Sequence, residues 1–230
     1  MQELCRLENI RKYYDLGEKI YPVDGISYSI NRGDFICIQG PSGVGKSTLM
    51  YAIGSLLKIA EGEIYYMGEP ISRKTDDELT EIRGNFIGYI FQEANLIKAL
   101  TLEENLKFIS TINRKKFGEE ERARLESLLE RLGLSDYRNH LPQELSGGQK
   151  RRAMIAGALI RNPELILADE PTNDLDDHWS MEVMKIFKEL SEEGKAVVFV
   201  THNEKWAKCA KEILELEGGK LIQAHITQDA

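Results

Sequence analysis

The chain has 230 residues and a formal net charge of −8 at pH 7, with 42% hydrophobic and 30% charged residues. Its length allows a substantial core, and its acidic balance argues against a sequence-independent nucleic-acid-binding protein, since the densest basic cluster, residues 150–152, is short. No apolar stretch approaches the ~20 residues of a membrane span, the N-terminal residues lack the apolar core of a signal peptide, and the three cysteines lack metal-type spacing, so composition predicts a soluble cytosolic protein with reduced thiols.

The predicted elements begin with a β-rich segment over about the first 30 residues, where glycines and Pro22 interrupt short apolar runs. Later strands are predicted from further apolar runs, at residues 35–39, 63–67, 86–91, 165–168, 196–200, 213–216 and 220–222. Helices are predicted at residues 47–57, 101–134 and 149–161, although Gly54 weakens the first. The most amphipathic part of the second covers residues 119–132, and its acidic run is interpreted as a solvated face, with a partner surface as the alternative.

The order of these elements predicts the fold class. Continuous Val, Ile and Leu runs at 165–168 and 196–200 alternate with helices, which indicates a mainly parallel sheet covered on both faces. The two last runs flank Gly218 and Gly219 and predict a closing hairpin. The sequence therefore predicts an α/β protein that begins with a β subdomain and contains a charged helical segment in its middle.

The octet from Gly40 to Ser47 fits the phosphate-binding loop pattern, with two glycines separated by four residues and followed by Lys-Ser. A predicted strand precedes it and a predicted helix follows it, which is the context that this motif requires. The glycines let consecutive backbone N–H groups point at phosphate oxygens. Lys46 would then reach the β- and γ-phosphates, and the Ser47 hydroxyl would bind Mg²⁺. The octet predicts that the chain binds a nucleoside triphosphate.

Two carboxylates end the predicted strand at 165–168, in the order Asp169-Glu170. Ligands of open α/β sheets bind at the C-terminal ends of the strands. Beside a phosphate-binding loop, Asp169 would hold Mg²⁺ directly or through water, near Ser47. Glu170 would orient and polarise the attacking water.

A second glycine-rich segment, Leu145-Ser-Gly-Gly-Gln149, precedes the predicted helix at 149–161. It forms another anion cradle, and one nucleotide does not need two cradles about a hundred residues apart. We expect this segment, the signature segment below, to close over the nucleotide of a second subunit. At this point the chain resembles the ATP-binding-cassette (ABC) ATPases, whose diagnostic motif is this pentapeptide and whose nucleotide lies between two subunits packed head to tail.

The resemblance covers nearly the whole chain and implies roles for four further residues. Tyr14 matches the aromatic residue that stacks on adenine, with Tyr13 as the competing choice. Gln92 matches the glutamine that touches Mg²⁺ or water and senses the membrane partner. Asp176 belongs to the loop that crosses the dimer interface, and His202 matches the histidine that hydrogen-bonds the γ-phosphate.

Together these arguments give a complete set of candidate site residues. The candidate catalytic residues are Lys46, Gln92, Glu170 and His202, and the candidate metal ligands are Ser47, Gln92 and Asp169. The candidate ATP-binding residues are Tyr14, Gly40, Pro41, Ser42, Gly43, Val44, Gly45, Lys46, Ser47, Thr48, Ser146, Gly147, Gly148 and Gln149. The resemblance implies a single ABC ATPase domain over 1–230, with a core and β subdomain at 1–92 and 160–230 and a helical subdomain at 93–159.

The chain departs from the family at the edges of its motifs. The family often has Arg at Gly157, Asp at Asn203, and Gly-Asn where this chain has Asn173-Asp174. We expect these differences to affect the rate of ATP hydrolysis and the affinity between the two subunits. The lysine, glutamate and histidine that carry the chemistry are intact, so a competent ATPase is expected.

The amino-acid sequence at residues 167–172 and 175–176 is similar to that of the lipoprotein-release and macrolide-export group of ABC ATPases. The resemblance implies ATP and Mg²⁺ as ligands, a second copy as partner, and an integral membrane permease that holds the dimer at the inner face of the membrane. Export or mechanotransmission is the expected output. The alternatives are a regulatory ABC ATPase that signals to cell-envelope machinery without transport, and a soluble ABC protein acting on ribosomes or DNA, which the acidic balance disfavours.

Overall fold

The computed structural model describes residues 2–15, 17–93, 95–112 and 117–223. The strands within these residues are β1 (Glu3–Asp15), β2 (Lys19–Asn31), β3 (Phe35–Gln39), β4 (Glu61–Tyr66), β5 (Glu69–Pro70), β6 (Ile87–Ile90), β7 (Leu165–Asp169), β8 (Ala196–Val200), β9 (Glu212–Glu217) and β10 (Lys220–Gln223). The α-helices are α1 (Lys46–Ile53), α2 (Asp76–Asn85), α3 (Leu102–Thr111), α4 (Glu119–Arg131), α5 (Gly147–Leu159), α6 (Asp177–Glu192) and α7 (Glu204–Ala207).

The central sheet is mainly parallel, with the strand order β10-β9-β3-β8-β7-β6. Strands β9, β3, β8, β7 and β6 pair in parallel, and β10 adds an antiparallel hairpin to β9. Strands β7 and β8 are buried along their whole length, as expected for strands covered on both faces. The predicted α/β class, the parallel sheet and the closing hairpin are confirmed.

The two faces of the central sheet build two hydrophobic cores. Phe35 and Phe199 pack towards helices α3 to α6, while Ile36 and Val198 pack towards α1 and the N-terminal strands. Because successive strand residues point to opposite faces, one continuous apolar run supplies both cores. The loops that follow β3, β7 and β8 are thereby held together at the C-terminal edge of the sheet.

A smaller antiparallel sheet, in the order β2-β1-β4-β5, covers the α1 side of the central sheet. It confirms the predicted β-rich N-terminal segment. Hydrogen bonds tie it to the β9–β10 end of the central sheet: the Tyr28 hydroxyl donates to Glu212 Oε2 at 2.7 Å, the Asp24 backbone N–H donates to the Gly219 carbonyl at 2.8 Å, and Lys220 Nζ donates to the Asp24 carbonyl at 3.0 Å. This packing holds β2 against the loop between β3 and α1.

Helices α3, α4 and α5 form most of the predicted helical segment and pack through fully buried leucines and isoleucines such as Leu106, Leu129 and Ile155. Thr101 caps α3 in a reciprocal pair with Glu104. The predicted helix at 101–134 includes residues 113–116, which lie outside the described residues. None of the described helices is both long and apolar enough to cross a membrane.

Several helices differ from the sequence predictions. The predicted helix at 101–134 is interrupted, since α3 ends at Thr111 and residues 117–118, ahead of α4, are not helical. Helix α7 was not predicted. The predicted helix at 47–57 ends at Ile53, because Ser55 adopts a left-handed φ of 50° that interrupts the α-helical hydrogen-bond pattern. Helix α2 was not predicted, since its face carries few apolar residues. Its N-terminus is nevertheless encoded in a Thr75-x-x-Glu78 capping box, in which the Thr75 hydroxyl accepts from the Glu78 backbone and the Glu78 carboxylate accepts from the Thr75 backbone.

Candidate active site

The loop between β3 and α1 has backbone geometry that requires glycine. Gly40 has a φ of 145° and Gly45 a φ of 114°, a region that residues with a Cβ rarely adopt. A Cβ on Gly40 would lie 2.5 Å from the Leu216 carbonyl oxygen, and one on Gly45 would lie 2.6 Å from Pro22. The loop therefore packs tightly on β9 and β2 and delivers its N–H groups to the N-terminus of α1.

Lys46 is the first residue of α1, and its side chain reaches back to the start of this loop. Its side chain is 7% exposed, and its ammonium donates to the carbonyl oxygens of Gly40 and Pro41, each at 2.8 Å. Burial lowers the pKa of Lys46, and the nearby carboxylates of Glu170 and Asp169 act in the opposite direction. A cation that has been removed from water and still has donor capacity is well suited to an anionic ligand.

Ser47 and Asp169 are brought together although they are far apart in the chain. The Ser47 hydroxyl donates to Asp169 Oδ2 at 2.7 Å, from the first turn of α1 to the end of β7. Hydroxyl and carboxylate oxygens are the ligands that Mg²⁺ prefers. The described residues contain no group of three or more His, Cys, Asp or Glu side chains that could hold a metal alone. This donor set fits a Mg²⁺ ion whose remaining ligands are water and phosphate oxygens.

Glu170 is buried, with 7% exposure, and has a left-handed φ of 49°. A hydrogen bond from its backbone N–H to the Val200 carbonyl, at 3.0 Å, holds it against β8. Its Oε1 atom has no hydrogen-bond partner among the described residues, and His202 Nε2 lies 3.5 Å from it. A buried acceptor without a partner costs folding free energy, and its lone pairs remain available to a donor.

These residues line one cavity of about 760 Å³ at the C-terminal edge of the central sheet. It brings together most of the predicted catalytic, metal-binding and phosphate-binding side chains and adds Asn173, Val200 and Asn203. The lining residues are Ser42, Gly43, Gly45, Lys46, Ser47, Thr48, Gln92, Asp169, Glu170, Asn173, Val200, His202 and Asn203. Gly40, Pro41 and Val44 belong to the same loop but not to this lining.

The two candidate adenine-stacking residues lie outside the lining of this cavity. Tyr14 is near the end of β1, opposite Ile20 of β2, and is 43% exposed. The Tyr13 ring packs on the Tyr21 ring at a centroid distance of 5.5 Å, with the Lys19 ammonium 4.5 Å from its centre. Tyr13 therefore has two packing partners that restrict its ring, while Tyr14 presents more of its ring to solvent.

The signature segment also lies outside the cavity of its own chain. Ser146 caps α5: its hydroxyl accepts from the Gln149 backbone at 3.2 Å, and Gln149 Oε1 accepts from the Ser146 backbone at 2.7 Å. Ser146 and Gly147 are exposed. A Cβ on Gly148 would lie 3.0 Å from the Asp174 carbonyl oxygen, so the segment packs beside the loop that follows β7.

Asp176 has a structural role within its own chain. Its Oδ1 atom accepts a hydrogen bond from the Trp179 backbone at 2.8 Å and caps α6. Sequence reasoning overlooked two residues nearby. Arg151 and Arg152 count as part of a surface basic cluster in the sequence, but both are buried on α5. Their position directly after the signature segment was the available signal.

Glu170→Gln is expected to raise the midpoint of thermal unfolding at pH 7. Burial raises the pKa of Glu170, and His202 acts in the opposite direction. Because the pKa of Glu170 is higher in the folded than in the unfolded protein, its charged form lowers the free energy of unfolding. This cost is complete at pH values above the folded-state pKa and absent at pH values below the unfolded-state pKa of about 4.3. Calorimetry should therefore find the largest gain near pH 7 and a gap that closes towards pH 4. A gap that stays constant on acidification would contradict this origin.

A P-loop nucleoside triphosphatase is defined by a glycine loop between a strand and a helix, a buried lysine, and a serine of that helix paired with an aspartate at the end of a parallel strand. Comparison with known proteins gives the family. A family model described as "ABC transporter" matches residues 23–173. Two relatives of nearly equal length are named ABC transporter ATP-binding proteins: MJ0796 of Methanocaldococcus jannaschii, 43% identical over 95% of both chains, and YknY of Bacillus subtilis, 40% identical over 96% of both.

The solved structures agree with this comparison. A dimeric structure of the MJ0796 cassette in a post-hydrolysis state, bound to ADP and Pi, has a TM-score of 0.90 and 40% identity and covers 96% of this chain and 97% of that chain. A longer relative, the macrolide export ATP-binding/permease protein MacB of Mannheimia succiniciproducens, is 39% identical over 98% of this chain, which matches 36% of that protein.

The chain belongs to the ABC transporter family. It is an ATP-binding and ATP-hydrolysing subunit with the ABC ATPase fold. The predicted family, fold and enzyme class are thereby confirmed, including the similarity to the macrolide-export group.

Proposed function

We propose that two copies of this chain close around two ATP molecules and drive an integral membrane permease, by export or mechanotransmission. The observation that carries this proposal is the cavity at the strand ends, which gathers Lys46, Ser47, Asp169 and Glu170 but excludes the signature segment of the same chain. A site of this kind lacks its second anion cradle until another copy supplies it.

The phosphates of ATP bind along residues 40–48. The loop N–H groups and Lys46 neutralise their charge, and His202 donates a hydrogen bond to the γ-phosphate. Ser47, Asp169 and Gln92 hold Mg²⁺, which when bound neutralises further charge on the β- and γ-phosphates. Glu170, which lines the cavity, orients the attacking water through its carboxylate and accepts a proton from it. We assign the adenine to Tyr14, because the ring of Tyr13 is already packed.

A second copy completes each site with its signature segment. Ser146 and Gly148 of the opposite subunit contact the γ-phosphate, and Asp176 lies in the loop that crosses the interface. The exposed N-terminus of α5 is an anion-binding end of a helix, and the related MJ0796 cassette forms a dimer in its solved structures. Hydrolysis then requires closure of the dimer, and release of phosphate reopens it.

We divide the domain into two parts that move relative to each other during this cycle. Residues 1–92 and 160–230 form the core with its β subdomain, and residues 93–159 form the helical subdomain. The described helices α3, α4 and α5 support this division because they pack on one another at one side of the central sheet. The loop that contains Gln92 joins the two parts.

We assign the docking site of the permease to a groove of about 450 Å³ between β6, α2, α3 and α5, which also includes residues 95–97 of the loop after β6. Its walls include four exposed apolar side chains, Leu56, Ile97, Phe108 and Ile112. Exposed apolar clusters of this kind mark protein interfaces. The relatives named ATP-binding/permease proteins combine both functions in one protein. A permease docked here would hold the chain at the cytoplasmic face of the membrane.

The test is affinity capture of tagged Glu170→Gln protein with ATP from detergent-solubilised membranes of the native cell. We expect an integral membrane protein to co-purify. Adding Phe108→Glu, which puts a charge in the groove, should reduce its recovery at least about tenfold. Met181→Glu, an equally exposed apolar residue outside the groove, should leave recovery unchanged and serves as the matched control.

The captured protein also separates the alternatives. A permease with large extracytoplasmic regions supports export or mechanotransmission. Recovery of a cell-wall-machinery membrane protein that has no transport pathway would instead support the interpretation as a regulatory ATPase. Recovery of ribosomes or DNA without any membrane protein would overturn the proposed function.

A further inference from the structure

Arg151 contacts two of the loops that line the ATP site. It lies on α5, directly after the signature segment, and is 4% exposed. Each nitrogen of its guanidinium group donates to a backbone carbonyl: Nη1 to Phe91 at 2.7 Å, Nη2 to Gln92 at 2.5 Å, and Nε to Asn173 at 3.3 Å. One side chain therefore joins the loop after β6, the loop after β7 and the helix of the signature segment.

The two loops supply residues to the ATP site. Gln92 and Asn173 both line the ATP cavity. The Asn173 backbone N–H donates to the Glu170 carbonyl at 3.1 Å, so the contact from Arg151 reaches the turn that positions Glu170. Arg151 itself does not line the cavity, and any influence on hydrolysis must pass through these loops.

The bonding pattern requires a planar guanidinium group. Burial lowers the pKa of Arg151, with Asp174 and the two site carboxylates acting in the opposite direction. The Asp174 carboxylate is 67% exposed and 4.0 Å away, so the three carbonyl dipoles provide the close contacts to the buried cation. A lysine ammonium presents its donors from one point and does not reproduce this three-way arrangement.

We infer that Arg151 is a positioning residue for ATP hydrolysis, which holds Gln92 and the turn after Glu170 in register with the signature segment. When the helical subdomain moves on closure of the dimer, both loops move with α5 because one guanidinium group bonds all three. This inference rests on the proposed function, since it concerns how the same site is assembled.

The adjacent Arg152 provides the structural comparison. It is also buried on α5, but its Nη1 donates to the Leu132 and Gly133 carbonyls at 2.5 and 3.2 Å. Its guanidinium stacks on the Trp179 ring at 3.8 Å. Arg152 thus joins α5 to the end of α4 and to α6, and within the described part of the chain it makes no hydrogen bond to the loops that contain Gln92 and Asn173.

The experiment compares Arg151→Gln and Arg151→Lys with Arg152→Gln and Lys150→Gln. The steady-state rate of hydrolysis is divided by the measured concentration of ATP-binding sites. The resulting kcat therefore does not count unfolded protein. Arg151→Gln should lower kcat at least about tenfold, since charge-assisted hydrogen bonds are lost, with KM for ATP changed less than about threefold. Arg151→Lys should recover part of the rate. Arg152→Gln should lower the unfolding midpoint, and Lys150→Gln should change neither quantity.

A double-mutant cycle tests whether Arg151 acts through Gln92. In a Gln92→Ala background, Arg151→Gln should cause a clearly smaller loss of kcat than in the wild type, because part of what it positions is already absent. Equal losses in both backgrounds, or a wild-type kcat in a folded Arg151→Gln protein, would overturn the inference. If the glutamine variant does not fold, Arg151→Lys decides: a wild-type kcat overturns the inference and a reduced one supports it.

The parent protein separates this inference from the proposed function. Membrane-protein capture that fails in the Glu170→Gln parent defeats the proposed function, whatever Arg151 does. If the wild type hydrolyses ATP, the Glu170→Gln protein captures its permease and Arg151→Gln leaves kcat unaffected, the positioning role alone is defeated.

Discussion

Replacing Glu170 with glutamine should slow ATP hydrolysis at least about 100-fold, because a neutral amide cannot accept the proton of the attacking water. Glutamine has nearly the same shape as glutamate, so it fits the buried position after β7, where Glu170 is 7% exposed. ATP binding should persist, since the residues assigned to the phosphates are unchanged. With ATP bound and hydrolysis blocked, the closed dimer should accumulate. Phosphate release and light scattering with ATP measure the two effects.

Glu204→Gln is the matched control for this result. Glu204 is exposed at the start of α7, two residues from His202, and its replacement should leave both the rate and the oligomeric state unchanged. Hydrolysis at the original rate by Glu170→Gln would defeat the assignment of Glu170 as the base. A dead enzyme that stays monomeric with ATP would retain that assignment and contradict the closed dimer.

Lys46→Ala should weaken ATP binding by roughly 10- to 100-fold, the range expected for losing charge-assisted hydrogen bonds to phosphate. The ammonium is held at 2.8 Å from two loop carbonyls, so it is positioned before the nucleotide arrives. Removing it leaves those carbonyl oxygens facing the phosphates. Titration calorimetry measures the affinity. A thermal shift gives a second readout, because ATP at 100 times its Kd stabilises the wild type by about 2.7 kcal/mol.

The control for Lys46→Ala is Lys185→Ala, which removes the same charge from an exposed position on α6. Its ATP affinity and thermal shift should match those of the wild type. An unchanged affinity in Lys46→Ala would mean that the nucleotide does not bind in the loop between β3 and α1. The assignment of residues 40–48 would then be wrong.

Local sequence patterns were sufficient for the parts of the fold that depend on neighbouring residues. The apolar runs of β7 and β8 predicted buried parallel strands because such strands contact apolar atoms on both faces. Predictions were poorer where an element is stabilised by its caps or ends at an unusual backbone conformation. Helix α2 has few apolar residues and begins with the Thr75–Glu78 capping box, and α1 ends early at Ser55.

Arg151 illustrates a different limit. In the sequence it is one of three adjacent basic residues, and such residues are usually solvated. Its burial follows from the backbone carbonyls of Phe91, Gln92 and Asn173, which come from two other parts of the chain. No spacing rule within α5 predicts where those carbonyls lie.

By itself, the sequence determined the chemistry of this protein, because each motif that carries it is a contiguous run of residues. These motifs are a phosphate-binding loop at 40–47, two carboxylates after a buried strand, and the signature segment ahead of a helix. Only the tertiary structure decided which of these meet. It joins Ser47 to Asp169 across 122 residues and, among the residues that the structure describes, leaves Glu170 Oε1 without a hydrogen-bond partner. It also keeps the signature segment out of its own cavity. The physical reason is that parallel strands align their C-terminal ends at one edge, so residues distant in sequence are neighbours there.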